Sequence, residues 1–310
     1  MGRTHALIKP KIIFSIIGLS ALFFLTYFTG HAQDFLSSQT LEVGPASQEI
    51  SADPGELKVV KVRVRNLTKN NLPIKVRAED FTAQGEEGQV AITANSPYSI
   101  SSWTKITPDS FNLGVNENKE VTATIQIPKS GAAGGRYGSF VFTVTPPTTG
   151  TSPQAKVAQE IASLFLVKIS GPVHEQINLT EFTVPQFLEF GPVPISMKFK
   201  NSGNIHEKIA GLIHVENIFH KKTADIVVKP TNIFPGSQRV LNATLDKKFL
   251  IGPYTATALL VYGTKNESIN AQANFIVFPI RIVAVALLII VFLFLARKRI
   301  RRAFRALMKG

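Results

Sequence analysis

Near the C-terminus, Phe275 to Ala296 reads FIVFPIRIVAVALLIIVFLFLA, and RKRIRRAFRALMKG follows at once. The run from Ile282 to Ala296 is uninterrupted and apolar. With the residues before it, the stretch reaches the ~20 needed to cross a bilayer. Arg281 sits near one end, where its long stem can snorkel to the interface. Arg297, Lys298, Arg299, Arg301, Arg302 and Arg305 crowd the other side. By the positive-inside rule they hold the tail in the cytoplasm and place residues 33–275 outside. The chain is therefore expected in the plasma membrane as a single-pass protein with an extracytoplasmic body.

The net charge of +13 agrees with this topology once it is divided. Residues 1–33 carry +3 and residues 281–310 carry +8, which leaves the body nearly neutral. A basic stretch near a membrane end sets orientation, so nucleic acid is not an expected partner. Ile300, Ala303, Phe304, Leu307 and Met308 fall on one helical face of the tail. A plain stop-transfer anchor is sufficient to account for the tail, and a helix lying on an anionic inner leaflet would be an addition to it. At the N-terminus, Arg3, Lys9 and Lys11 precede an apolar run from Ile12 to Phe28, and Gly30-His31-Ala32 follows. That is the pattern of a signal peptide cut after Ala32, with an uncleaved anchor as the alternative.

Between these segments the chain reads as strands. Leu57 to Asn66 (LKVVKVRVRN) alternates apolar and basic residues at period two, and Ile74–Ala78, Glu120–Ile127 and Tyr137–Val144 do likewise. Pro54-Gly55, Gly85 to Gly88, Pro108-Asp109 and Gly114 mark turns. The order also repeats. VRVRN ending at Asn66 matches MKFKN ending at Asn201, and VTATI matches VLNATL. Gly135-Arg136-Tyr137 and Gly252-Pro253-Tyr254 each open a late strand, as a tyrosine corner requires. The expected fold is all-β, two tandem immunoglobulin-like sandwiches. Glu160 to Ser170 closes the first, and Pro146 to Lys156 forms a long hairpin loop. The expected organisation is a signal peptide at 1–32, sandwiches at 38–171 and 172–274, a transmembrane helix at 275–296 and a basic tail at 297–310.

Catalytic chemistry has little footing here. With no cysteine, thiolate metal sites, disulfides and a Cys nucleophile are excluded. HExxH, GxSxG, GxxxxGK and calcium-loop patterns do not occur. His174, His206, His214 and His220 read as satisfied surface histidines, and Glu86-Glu87 as a solvated turn. The sequons at Asn66, Asn178, Asn242 and Asn266 fit chance. No enzyme, metal or cofactor is expected. Candidate partner-binding residues are Trp103, Gly134, Gly135, Arg136 and Tyr137: the glycine-rich stretch lets a hairpin turn tightly or a partner approach the backbone, and Trp103 reads first as a core or rim residue, with sugar stacking as the alternative.

Several of these motifs together resemble the peptidoglycan-binding domain of the WxL-interacting cell-surface proteins of Gram-positive bacteria. They are Pro45 in LEVGPASQ, Pro54-Gly55 in SADPGELKVVKVRVRN, Glu79-Asp80 in VRAEDFTAQGEEG, IPKSGAAGGRYGSFVF from Ile127, and SLFLVKISG from Ser163. The resemblance covers roughly residues 38–171 and includes the layout of two sandwiches before one helix. It implies a cell-surface protein whose sandwiches engage peptidoglycan or another surface protein non-covalently. The alternative is an assembly factor that donates or accepts a strand, with Leu57 to Arg65 as its edge.

Overall fold

The computed structural model describes residues 40–94, 96–144 and 159–307. The N-terminal apolar segment and the stretch Pro146 to Lys156 lie outside the described residues, as do the side chains of Arg299, Arg301, Arg302 and Arg305.

The described body is two β-sandwiches. In the first, one sheet runs β1 (Leu41–Gly44), β3 (Leu57–Asn66), β8 (Asn118–Gln126), β6 (Thr104–Thr107). The facing sheet runs β2 (Ser47–Ala52), β10 (Gln159–Ile169), β9 (Gly134–Val144), β4 (Leu72–Gln84), β5 (Gln89–Thr93), with β7 (Ser110–Leu113) on β4. In the second, β11 (Ile177–Thr183), β13 (Val193–Asn201) and β16 (Gln238–Leu245) face a sheet ordered β12 (Phe187–Leu188), β18 (Glu267–Val277), β17 (Gly252–Tyr262), β14 (Glu207–Asn217), β15 (Lys222–Ile233). Helix α1 spans Ile280–Leu307.

The period-two pattern explains the layers. β3 turns Val60, Val62 and Val64 inward and Lys61, Arg63 and Arg65 outward. β13 buries Val193, Ile195, Met197 and Phe199 in the same way. Each such side chain contributes ~1.5–3 kcal/mol when fully withdrawn from water. The sequence repeat is a structural one, since β3 pairs with β8 as β13 pairs with β16. In each sandwich the Gly-x-Tyr strand then pairs with its closing strand, β9 with β10 and β17 with β18.

The asparagines that end the two matching strands are both fully buried. Asn66 Nδ2 donates to the carbonyls of Asn70, Leu113 and Gly114, and its Oδ1 accepts from Thr68. Asn201 Nδ2 donates to Ile205 and Ile233, and its Oδ1 accepts from the Gly203 amide. Each side chain thus stands in for a missing ladder partner where a strand leaves its sheet. Asn66 is consequently closed to glycan attachment in the folded chain.

Three expectations change. β3 lies between β1 and β8, so it is not an edge strand; β1 covers Arg63 to Asn66 and leaves only the first half of β3 open on that side. Phe275 to Val277 complete β18 instead of opening the helix, because Phe278-Pro279 separates strand from helix. The apolar part of α1 is Ile280–Lys298, long enough to cross a membrane. At 1.5 Å per residue this is about 28 Å, close to the bilayer hydrocarbon thickness of about 30 Å. Finally, only one of the two tyrosines makes a backbone corner. The Tyr254 hydroxyl accepts from the Ile251 amide and donates to the Ile251 carbonyl, at 3.2 and 3.3 Å.

Candidate partner-binding site

The glycine-rich turn expected to receive a partner is occupied from within the chain. Gly134 has φ +120°, and a Cβ there would stand 2.6 Å from the Asn204 carbonyl oxygen. The Gly135 amide donates to that same carbonyl at 2.9 Å. Only a residue without a side chain lets the two sandwiches come this close. Tyr137 is buried, and its hydroxyl meets His206 Nδ1 at 3.2 Å rather than local backbone. Its ring packs against Phe81, Tyr98, Phe234 and His206, with centroids 5.0–5.8 Å apart. Phe234 lies in the turn after β15, so this aromatic cluster joins the two sandwiches. A cleft of about 370 Å³ remains beside it, walled by Phe81, Tyr98, Tyr137, Phe234 and Pro235.

The β4–β5 turn adds a second bond between the sandwiches. Glu86 is still partly exposed there, but it also contacts the second sandwich: its carbonyl accepts from the Val240 amide at 2.7 Å, and its carboxylate pairs with Lys198 at 2.8 Å. Gly88, at φ +83°, lies under the Arg239 guanidinium, whose Nη2 would be 2.2 Å from any Cβ.

Charge is concentrated at the same junction. Glu49 on β2 meets Lys168 at 2.9 Å, Lys208, and His206 Nε2 at 3.5 Å. Burial opposes its ionisation, but the two ammonium groups hold its carboxyl down at about 2. His206 is buried, not a surface residue; burial and the Lys168 charge hold its imidazole down at about 4. Burial, with the Glu175 carboxylate beside it, pushes Glu207 up to about 7, and its Oε1 has no hydrogen-bond partner among the described residues.

These two shifts oppose each other. The Glu207 contribution is fully present below its unfolded value of 4.5 and is lost as pH rises through 7. The His206 contribution is present above 6.5 and is lost as pH falls through 4. Their slopes cancel in the shared window between 4.5 and 6.5. Glu207→Gln is therefore expected to stabilise the chain by ~1–2 kcal/mol above pH 7. It should also uncover a rise in stability with pH across the window in which His206 titrates. Denaturant unfolding from about pH 4 to above pH 7 checks both.

Of the residues assigned to partner binding, Gly134, Gly135 and Tyr137 thus serve the junction. Trp103 and Arg136 remain partly exposed, with the guanidinium 5.9 Å from the indole centroid. Trp103 lies in a 3₁₀ turn, Ser101–Trp103, which buried Asp80 holds by accepting the Ile100 and Ser101 amides at 2.9 and 2.8 Å. His214 and His220 are paired with Asp225 and Glu216 on the surface.

An open sheet edge lies elsewhere. The first strand changes sheets after Gly44, so β2 accompanies β10 only from Leu164 to Ile169. Glu160 to Ala162 pair with β9 on one side, and among the described residues no strand lies on the other; Ser163 is buried, its hydroxyl donating to the Pro45 carbonyl at 2.6 Å. The Leu164 amide donates to Ala46 on the β2 side. By alternation, Glu160 and Ala162 turn their backbone groups to the open side. Ile161 packs inward against the first core. Sequence reasoning passed over this edge because nothing in EIAS marks where a neighbouring strand stops.

No family model and no curated protein matches the sequence. Among solved structures, the chain is similar to one described as a chaperone–tip adhesin complex in CFA/I fimbriae biogenesis. The identity is 13%, over 76% of this chain and 98% of that one, with a TM-score of 0.39. It is also similar to the class 5 fimbriae chaperone CfaA, at 15% identity over 76% and 99% with a TM-score of 0.38. For the E. coli chaperone DraB the values are 12%, 76% and 96%, and 0.35. Likeness at these scores concerns sandwich architecture, which the strand pairing above establishes independently.

Proposed function

We propose that this chain is a membrane-anchored, non-catalytic surface module that holds an extended segment of a partner protein by strand addition to β10. The half-paired edge at Glu160 to Ala162 carries the reading, because unpaired backbone beside a formed ladder is a template for one more strand. Helix α1 crosses the plasma membrane, and the basic residues after it hold the tail on the cytoplasmic side.

Ala162→Pro tests this. Proline removes the outward amide of residue 162, while the bonds from β10 to β9 use the neighbouring residues. Full-length protein carrying a photo-crosslinker at Glu160 is expected to trap one discrete partner in its native membrane. The Ala162→Pro version should lose that product with its unfolding midpoint unchanged. Equal trapping by both would overturn the proposal.

A second reading has its own support in the resemblance of residues 38–171 to a peptidoglycan-binding domain. The outer face of the first sheet holds a hollow of about 570 Å³ edged by Lys61, Arg63, Arg65 and Glu120. Lys61 pairs with Glu120 at 2.7 Å and Arg65 with Glu42 at 3.8 Å, whereas Arg63 has no ion pair among the described residues. Retention on purified cell wall that survives Ala162→Pro and falls in Arg63→Ala would favour this reading.

A further inference from the structure

The end of the second sandwich nearest α1 carries an unusual set of side chains. Of the four most exposed large apolar side chains in the described body, three lie here: Phe249 at 86%, Phe219 at 80% and Ile251 at 70%. Scattered apolar residues on a surface are ordinary, but bare aromatic tips gathered at one end are not.

They come from separate loops. Phe249 and Ile251 lie between β16 and β17, and Phe219 lies in the turn between β14 and β15. Register and hydrogen bonds bring these loops together. Asn217 stands opposite Tyr254, and Gly252 opposite Val277, the last residue of β18. The Gly191 amide donates to the Lys248 carbonyl, and Lys247 Nζ donates to the Thr223 carbonyl. Only Phe278 and Pro279 separate this end from the start of α1, and Arg281 in its first turn pairs with Glu189 of the β12–β13 loop at 3.2 Å. Nothing in the fold requires Phe219 or Phe249: neither packs on the second core.

We infer that these loop tips form a foot that enters the headgroup–acyl boundary of the same bilayer that α1 crosses. The occupant of this apolar surface is lipid. It is chosen by continuity, since a helix that crosses the membrane from Ile280 must bring loops two residues away to the interface. Aromatic rings suit that boundary because they are apolar yet tolerate its wet, polar layer. Charge is compatible. The carboxylates of Glu189, Asp225 and Glu216 are paired with Arg281, Lys222 and His220. Lys221 and Lys248 are exposed beside the aromatic tips, where they can meet lipid phosphates while Asp246 stays in water.

The inference rests on α1 being membrane-spanning, and the experiment separates the two. Full-length protein is reconstituted in vesicles of phosphatidylcholine and phosphatidylglycerol containing lipids brominated near the headgroup or deep in the chain. Phe219→Trp, Phe249→Trp and Phe292→Trp are compared with the parent, whose sole Trp103 lies in the first sandwich. Tryptophan at 219 and at 249 should be blue-shifted and lose emission to shallow bromines more than to deep ones. Tryptophan at 292 should lose emission to deep bromines. Quenching at 292 with none at 219 and 249 overturns the foot and leaves the spanning helix standing. No quenching at 292 removes the spanning reading and the foot with it. All three exchanges replace exposed phenylalanines, so they leave the folded cores untouched.

Discussion

Asn66→Ala is expected to destabilise the first sandwich by roughly 3 kcal/mol, and Asn201→Ala the second by a similar amount. In each case the lost side chain makes several hydrogen bonds to backbone groups inside the fold. Alanine leaves the Leu113 carbonyl, or the Ile205 and Ile233 carbonyls, without their donor in a place water does not reach. The cavity adds little, since asparagine and alanine differ by only a few atoms; the cost is unpaired backbone. Hydrogen exchange resolves the two sandwiches separately. Protection should fall across β3 and β8 in the first variant and across β13 and β16 in the second. Uniform loss through the whole body, or no loss, would show that these side chains are not independent clamps.

Tyr137→Ala carries the other large effect. The ring is 2% exposed and touches aromatic partners from both sandwiches, so its removal should cost ~3–5 kcal/mol. Because it bridges two bodies, that loss should surface as a loss of cooperativity. The parent is expected to unfold its two sandwiches together, and the variant in two steps. Tyr137→Phe isolates the hydroxyl. It keeps the ring and removes only the contact to His206 Nδ1, so ~1 kcal/mol and a single transition are expected. Calorimetry of the full chain distinguishes these outcomes. A single sharp transition in Tyr137→Ala would mean that the remaining junction contacts, Gly135 to Asn204, Glu49 to Lys208 and Glu86 to Val240 and Lys198, are sufficient to couple the sandwiches.

The parts of this architecture that sequence revealed are those governed by local period. Val60, Val62 and Val64 alternate with Lys61, Arg63 and Arg65 because one face of β3 meets the core and the other meets water. The repeated terminal asparagine and the Gly-x-Tyr entry were visible as a shared order, although their separate tasks were not. Tyr137 and Tyr254 have the same local sequence context, yet one bonds His206 and the other bonds its own turn. Only the presence or absence of a neighbouring sandwich decides between them. The junction charges were illegible for a related reason. Glu49 and Lys168 lie on the neighbouring strands β2 and β10, whereas Lys208 reaches Glu49 only because the second sandwich docks on the first. Glu86 likewise reads as a turn residue until Val240 presents its amide.

The two-residue connection at Phe278-Pro279 has a mechanical consequence. Long flexible tethers let a surface domain wander, whereas here strand passes almost directly into helix and the Arg281–Glu189 pair braces the passage. The junction around Tyr137 is packed by rings from both sandwiches, and the open part of β10 lies at the end of that strand away from it. β17 and β10, each eleven residues long, span roughly 36 Å apiece. Under the proposed function, so short a connection would set the height at which a captured segment is presented, and a segment emerging nearer the membrane would pass beneath it.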